Sequence, residues 1–434
     1  MVRLRHVRFA SAVLVLVVLA GMAMLPASYA LARQESGEPV TLRVWDQFTE
    51  NSDIADQIYA GFTATHPNVT IERETFTLEQ LRTTASTALA SGTGPDVIYH
   101  DVTPGREFYR SGLVLSLDEY AEEYGWRERF YPAGLRWTLV DDTLTGLGLE
   151  YEFVGVFYNK TRMDEAGLQI PETLEQTLEY CRQASEAGFI PYVAATGAGW
   201  PNYFYFTMPL HNTVGVQQMT DLLFGGQGTW DSPEVVSAIE VFYRQMRDAG
   251  CFPENPNAVD FDIGRDLLWA GDALAMPIGT WLIPDVAQFD PEHEYVMSPF
   301  PAIDGNPRVY TAGMGSAFFI SSQSAHPDVA AEFLDYLFSD EATRIWVEQA
   351  QYIPPVPVDT EGLDVPPLFQ FALETLTAAG SGEGGTELGY NIDLLVPQEF
   401  NTMMEDGFQA VMADEKTPEQ QAADLQQIWE NRDQ

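Results

Sequence analysis

"EYEFVGVFYNKTRMDEAGLQIPET", residues 150–173, decides the fold. Two acids, Glu150 and Glu152, stand at the mouth of an apolar strand, "FVGVFY", which runs through Asn159 and Lys160 into a helical stretch. Thr173 opens a further helix with Gln176 three residues on, a capping box, and Gly188 stops it. Upstream, "VTLRVW" (40–45) places Val40, Leu42 and Val44 on one face of a strand. A helix follows in which Ile54, Ile58 and Phe62 recur at i, i+4 and i+8 before His66-Pro67 ends it. "VTIERETF" (69–76) is a second strand, Leu78, Leu81, Ala85 and Ala88 mark a helix closed by Gly92, and "DVIYHD" (96–101) is a third strand. This βαβαβ opening predicts a parallel sheet with helices on both faces, and residues 150–173 begin a second unit of the same kind.

Downstream the alternation continues. "FIPYVAAT" (189–196), "ALAMPIGTW" (273–281), "EYVMSPF" (294–300) and "SAFFISS" (316–322) read as strands. Ser232-Pro233 starts a helix whose Val235, Ile239, Phe242 and Met246 share a side until Gly250, and helices are expected over 327–349 and 417–429. No fixed-period repeat is present, and the Gly-rich patch "GSGEGGTELG" (380–389) reads as a surface loop.

The chain carries 64 Asp and Glu against 22 Lys and Arg, a formal charge of −42, which argues against nucleic acid or anionic membrane as a partner. With 45% hydrophobic and 12% aromatic residues it is nevertheless equipped to fold. Arg3, Arg5 and Arg8 precede an apolar run from Ala10 to Leu25, shorter than the roughly 18 to 20 residues of a spanning helix, and Ala30-Leu31-Ala32 offers a cleavage site. Residues 1–32 are therefore read as a secretory signal. No Cys follows the run, so no lipid anchor is expected, and the protein is placed in the periplasm or at the outer face of the cytoplasmic membrane. Cys181 and Cys251 are the only cysteines; an oxidising exterior permits a bridge between them, and sequence alone leaves the pairing open. No G-x-S-x-G, phosphate-binding Gly-Lys loop, HExxH or Cys cluster occurs, so no catalytic residue, metal or cofactor is expected.

Several stretches together resemble the family 1 extracellular solute-binding proteins of ABC importers, of which a maltose-binding protein is one member. They are "VTLRVWDQF", "FTATHPNVTIE", "ALASGTGPDVIYHD", "SGLVLSLDEY" and "LGLEYEFVGVFYNKTRMDEAGLQIPETLEQ", followed by "AGDALAMPIGTW", "YTAGMGSAFFISSQSAHPDVAAEFLDYLFSDEATRIW" and "EKTPEQQAADLQQIW". Each is loose alone; their order and spacing are specific. The resemblance implies a two-lobed α/β periplasmic-binding-protein fold of type II, each lobe a mixed sheet flanked by helices, with a ligand cleft between them that closes about a hinge. Residues 33–150 plus 300–352 would form the N-terminal lobe and 151–299 plus 353–434 the C-terminal lobe. The chain would cross between lobes at "LGLEYEF", "VMSPF" and "YIPPVPVD", which puts Glu150 and Glu152 at the floor of the cleft.

A sugar site needs carboxylate, amide and Arg groups around flat aromatic platforms. Trp45, Asp46 and Gln47 end the first strand, at the sheet edge where open α/β folds bind ligands. His100 and Asp101 occupy the matching position after "DVIY"; Asp101 has a helix-capping role as its alternative, and the maltose-binding member has Trp where His100 stands, which favours hydrogen bonding over stacking there. Glu152 matches a cleft carboxylate of that member. "GAGWPNYFYFT" (197–207) presents Trp200, Tyr203 and Tyr205 in what reads as a Gly-rich loop, and Trp281 follows strand "MPIG" where the family commonly stacks a Trp on the ligand, with a core Trp as the alternative. Gly313 and Met314 precede "SAFFIS", where small residues let backbone approach a ligand, and Asn401 stands where the maltose-binding member has an aromatic.

These residues imply a monomeric, exported substrate-binding protein that captures a neutral sugar or oligosaccharide and delivers it to ABC permease subunits. The acidic candidates disfavour an anionic ligand. The alternative is a secreted glycoside hydrolase using paired carboxylates.

Overall fold

The computed structural model describes residues 38–49, 51–303, 305–359, 362–381 and 388–432. The leader expected over 1–32 and the middle of the Gly-rich patch, 382–387, lie outside the described residues. Strands β1 (Val40–Asp46), β2 (Val69–Thr75) and β3 (Val97–Asp101) pair in parallel, as the βαβαβ pattern predicts. A small hairpin of β4 (Leu139–Val140) and β5 (Thr143–Leu144) leads to β6 (Leu147–Gly148). Then come β7 (Glu152–Asn159), β8 (Ala275–Gly279), β9 (Tyr295–Ser298), β10 (Tyr310–Gly313), β11 (Ser316–Ile320) and β12 (Leu388–Tyr390). The strands form two mixed sheets, one ordered β2-β1-β3-β11-β6 and the other β12-β10-β7-β8 with β9 beside β7.

Each sheet has its own core. Leu42, Val44, Phe318, Trp126 and Trp346 are buried together on the first; Tyr158, Phe242, Trp230 and Phe408 on the second. A third cluster joins Ile98 and Phe319 of the first sheet to Phe157 and Ile278 of the second. The second lobe also holds the Cys181–Cys251 disulfide, which closes a separation of 70 residues and so restricts the unfolded chain.

The chain leaves the first sheet at Gly148 and enters the second at Glu152, so Glu150 sits in a three-residue passage between them. The return differs from the expected "VMSPF": β9 and β10 both belong to the second sheet, and the chain changes sheet between Gly313 and Ser316. These two passages lie side by side, with Gly313 opposite Glu152 on one flank and Ala317 opposite Gly148 on the other. The third begins later than Tyr352, because Pro355 still accepts a hydrogen bond from Tyr131 N (2.8 Å) and Val356 is buried in the first core.

Three local readings change. "FIPYVAAT" makes only a single bridge, Ile190 to Ala273, because Pro191 lacks the donor a ladder requires. The helix expected over 327–349 breaks into Pro327–Leu337 and Asp340–Ile345, where Ser339 Oγ accepts from Ala342 N (3.3 Å) as a new cap. Residues 202–207, read as part of a Gly-rich loop, lie in helix Asn202–Val214, whose residues from Asn202 to Asn212 are all buried. Apolar side chains all round, with Asn202, Thr207, His211 and Asn212 buried on hydrogen-bond partners, suit a helix surrounded by protein, and Pro209 inside it costs one backbone bond.

Candidate functional site

At the C-terminal edge of the first sheet, Asp101 ends β3. Its Oδ2 accepts from Arg82 Nε (2.7 Å) and its Oδ1 from Ser316 Oγ (3.3 Å). Ser316 Oγ also accepts from Gln47 Nε2 (2.9 Å), and Gln47 Oε1 is left without a partner in the protein. Asp101 directly precedes the helix Val102–Arg110, yet makes no side-chain cap on it. His100 is fully buried, its ring edge-on to Phe108 at 5.3 Å, and neither ring nitrogen has a partner. Burial pushes the imidazole pKa down, so it is held neutral.

Asp46 departs from the ligand role expected of it. Its carboxylate is completely buried and pairs with Arg73 through Nε (2.6 Å) and Nη2 (3.0 Å). It also accepts from Tyr59 Oη (3.1 Å), Thr75 Oγ1 (3.1 Å) and Phe48 N (3.3 Å), which leaves no lone pair for a ligand. It therefore fixes the end of β1. Neighbouring Trp45 is half-buried against Phe76, ring centroids 4.7 Å apart.

On the second lobe, Glu152 stands where β7 begins, and its carboxylate oxygens lie 2.9 Å from where a Cβ on Gly315 would stand. Burial, then the charges of Asp393 and Asp101, push its pKa up to about 8. Glu150 is pushed well above the carboxylate range by burial and by Glu152, and its Oε1 has no partner. Asp393 is pushed up to about 7, chiefly by burial. Its backbone oxygen accepts from Asn401 Nδ2 (2.9 Å) and Thr103 Oγ1 (3.2 Å), while its own Oδ1 and that of Asn401 are unpartnered. Arg106, from the first lobe, donates to the carbonyl of Leu394 next door. Tyr203 donates to Glu405 and feels the charges of Asp393 and Arg82, so it belongs to this cluster.

Trp281 is half-buried in the turn after β8. It packs against Phe204 (5.4 Å) and Trp200 (6.2 Å), and Trp200 against Phe261 (5.1 Å), which makes an aromatic wall on the second lobe. Tyr205 and Met314 depart from expectation. Tyr205 is fully buried, stacked on Phe242 (4.7 Å) with Ala195 N donating to its hydroxyl (3.0 Å), because its helix is surrounded by protein. The Met314 side chain is fully buried over Gly148, filling the space between the two passages. Gly313 is tight for another reason: a Cβ there would stand 2.4 Å from Leu394. Arg82, Arg106, Ser316, Asp393 and Glu405 were not singled out from sequence, since one acid among 64 carries no signal.

The segment bearing Asn391 and Asp393 is held by His211. Its Nδ1–H donates to Thr207 O (2.9 Å) and its Nε2 accepts from Tyr390 N (3.0 Å), with its pKa pushed down to about 4 by burial.

The carboxyls make the unliganded protein sensitive to base. Glu152 and Asp393 bind protons in the folded chain at pH values where the unfolded chain has lost them. Their stabilisation is full below their ordinary values of 4.5 and 3.8 and is lost as pH rises through about 7 and about 8. His211 titrates with the opposite slope, losing stability as pH falls from 6.5 to about 4, outside that window. The Tm without ligand is therefore expected to fall between pH 6.5 and 9, and the Glu152→Gln/Asp393→Asn double variant to show a flatter curve. Differential scanning fluorimetry across that range checks both.

The comparisons agree with this architecture. Residues 45–344 match the family described as bacterial extracellular solute-binding protein. The chain is 22% identical over 329 residues to the multiple sugar-binding protein of Streptococcus mutans, covering 72% of this chain and 74% of that one. A structure from work on xylan utilization by Caldanaerobius polysaccharolyticus superimposes with a TM-score of 0.77 at 21% identity, covering 89% of this chain and 99% of that one. An ABC transporter solute-binding protein of Thermotoga lettingae bound with α-D-tagatose gives 0.72 at 19% identity, with the same coverage of 89% and 99%. The two-sheet fold and the extent of the match agree: the chain belongs to the bacterial extracellular solute-binding protein family.

Proposed function

We propose that the protein captures a sugar or oligosaccharide without anionic groups in the cleft between its lobes, as an exported monomer, and delivers it to the permease of an ABC importer. The observation that carries this is the meeting of Gln47, Asp101, Glu152 and Asp393 at the passages between the sheets, beside the Trp200 and Trp281 wall. Hydrogen-bonding oxygens beside flat aromatic faces match the two surfaces of a sugar ring. Solute-binding relatives that carry sugars support the reading. Closure would bring the first-lobe groups onto a ligand seated on the second. Among the described residues no helix is long and apolar enough to cross a membrane, and the permease would supply that part.

The test is calorimetric titration over a panel of mono- and oligosaccharides, with chromatography of each mixture afterwards. Saturable binding with the sugar recovered intact is the expected result. Turnover would instead support the glycoside hydrolase alternative, in which two of these carboxyls flank a scissile bond.

Gly315→Ala probes the same site by geometry. The new methyl would press on the Glu152 carboxylate, the movable end of a side chain, so the fold is spared while the acceptor is displaced. An unchanged Tm and a roughly tenfold weaker affinity are expected, about one charged hydrogen bond, as read by calorimetry.

A further inference from the structure

Resting on that reading and narrowing it, we propose that the captured sugar carries a protonated amine, an amino sugar or its oligomer, held by the carboxyl groups at the junction of the lobes. The groups gathered there are lopsided in charge. Asp101, Glu150, Glu152, Asp393 and Glu405 interact with one another or with Tyr203 across the cleft. Of the guanidiniums among them, Arg82 is paired with Asp101, while Arg106 donates to the neutral Leu394 carbonyl and its Nε is left without a partner.

Most of the unpartnered atoms point the same way, the exceptions being Arg106 Nε and the protonated nitrogen of the neutral His100, which donate. Glu150 Oε1, Asn401 Oδ1, Asp393 Oδ1 and Gln47 Oε1 all accept hydrogen bonds, and Glu150 and Asn401 are only 6% and 4% exposed. An occupant that satisfies them must bring donors. An ammonium brings three donors, a positive charge and no acceptor, whereas each hydroxyl brings one donor and needs acceptors and donors in return. Charge matters as much as hydrogen bonding, because a buried carboxylate left uncompensated is costly and a neutral hydroxyl does not compensate it. Without a ligand, Glu152 and Asp393 meet that cost by keeping protons near neutral pH. A cation would replace those protons. Among the described residues no three His, Cys, Asp or Glu come together as a metal-binding group, so the carboxyls suit a larger cation whose charge and donors are spread along a sugar.

Calorimetry at pH 7 with spermidine and with three oligomers of matched linkage and length tests this: glucosamine, N-acetylglucosamine and glucose. The glucosamine oligomer is expected to bind at least about 100-fold more tightly than the acetylated one. Titrations in two buffers of different ionisation heat should report protons released from the carboxyls as it binds. In Glu152→Gln/Asp393→Asn, whose Tm reports its fold, the preference should shrink to within about tenfold. Equal or tighter binding of either uncharged oligomer would overturn the amine assignment while leaving sugar capture standing. Heat only with spermidine would overturn it as a sugar-borne amine, and a preference undiminished in the double variant would remove it from these carboxyls. No heat with any of the three would also reject it, and the wider sugar panel would then decide the function by itself.

Discussion

Arg73→Ala is expected to destabilise the protein by about 3 to 5 kcal/mol, the cost of leaving a buried charge unpaired. Asp46 is fully buried, and Arg73 reaches it through two nitrogens from the neighbouring strand β2, across the pairing of Asp46 with Thr75. The same guanidinium also donates to Ser52 O (3.0 Å) and Asp56 Oδ1 (2.8 Å), which ties the first helix to the sheet edge. Removing it strands the carboxylate with only neutral donors from Tyr59, Thr75 and Phe48. Replacing both partners, as Arg73→Met with Asp46→Leu, should recover only part of the loss, because apolar side chains of similar size have no charge to desolvate but Tyr59, Thr75 and Phe48 lose their acceptor. Urea unfolding of the two variants measures this. A single variant as stable as the unaltered protein would show that Asp46 is solvated, and would return it to the list of ligand contacts.

Trp281→Ala is expected to lower sugar affinity by roughly 30-fold while costing about 1 to 2 kcal/mol of stability. At most about a third of the Trp surface, ~80 Å² of ring, remains to be covered by a sugar, and at ~25 cal/mol/Å² this gives ~2 kcal/mol. The stability cost follows from contacts already made with Phe204 and Trp200 and from the ring's seat over Gly279. Trp230 supplies the contrast. It is fully buried against Phe400 and Trp429, and Trp230→Ala should cost about 3 to 5 kcal/mol. Melting curves and titrations of both variants separate the roles. A Trp281→Ala loss of stability equal to that of Trp230→Ala, with affinity retained, would make Trp281 a core residue.

Most of the fold could be read from local signals. β1, β2 and β3 announced themselves by alternation and helices by caps such as Thr173, while the first passage at "LGLEYEF" followed from the family resemblance. The return passage could not be read that way, because only the pairing of β9 and β10 with β7 shows that both precede it. Helix Asn202–Val214 was missed because a helix buried all round has no polar face to set its period, and the Gly residues before it suggested a loop. At the site, Glu152, Asp101 and Trp281 stood beside strand ends and could be named. Asp46 and Tyr205 also stood near promising neighbours, yet their side chains found partners inside the protein, an outcome decided by Arg73 and Phe242 far along the chain. Asp393 is the converse case: it reaches the cleft because His211 and Asn401 position its segment, and nothing nearby in sequence marks it.

The central claim is that the ligand sits at the junction of the two sheets. A crystal structure of the protein with the tightest-binding sugar from the panel tests it most directly. The account places the sugar between Gln47 and Asp101 on one side and Glu152, Asp393 and Trp281 on the other, within hydrogen-bond distance of at least two of these carboxyls. Density for the sugar outside that junction, for instance in the groove lined by Pro397, Met403 and Ile428 on the second lobe, would contradict it.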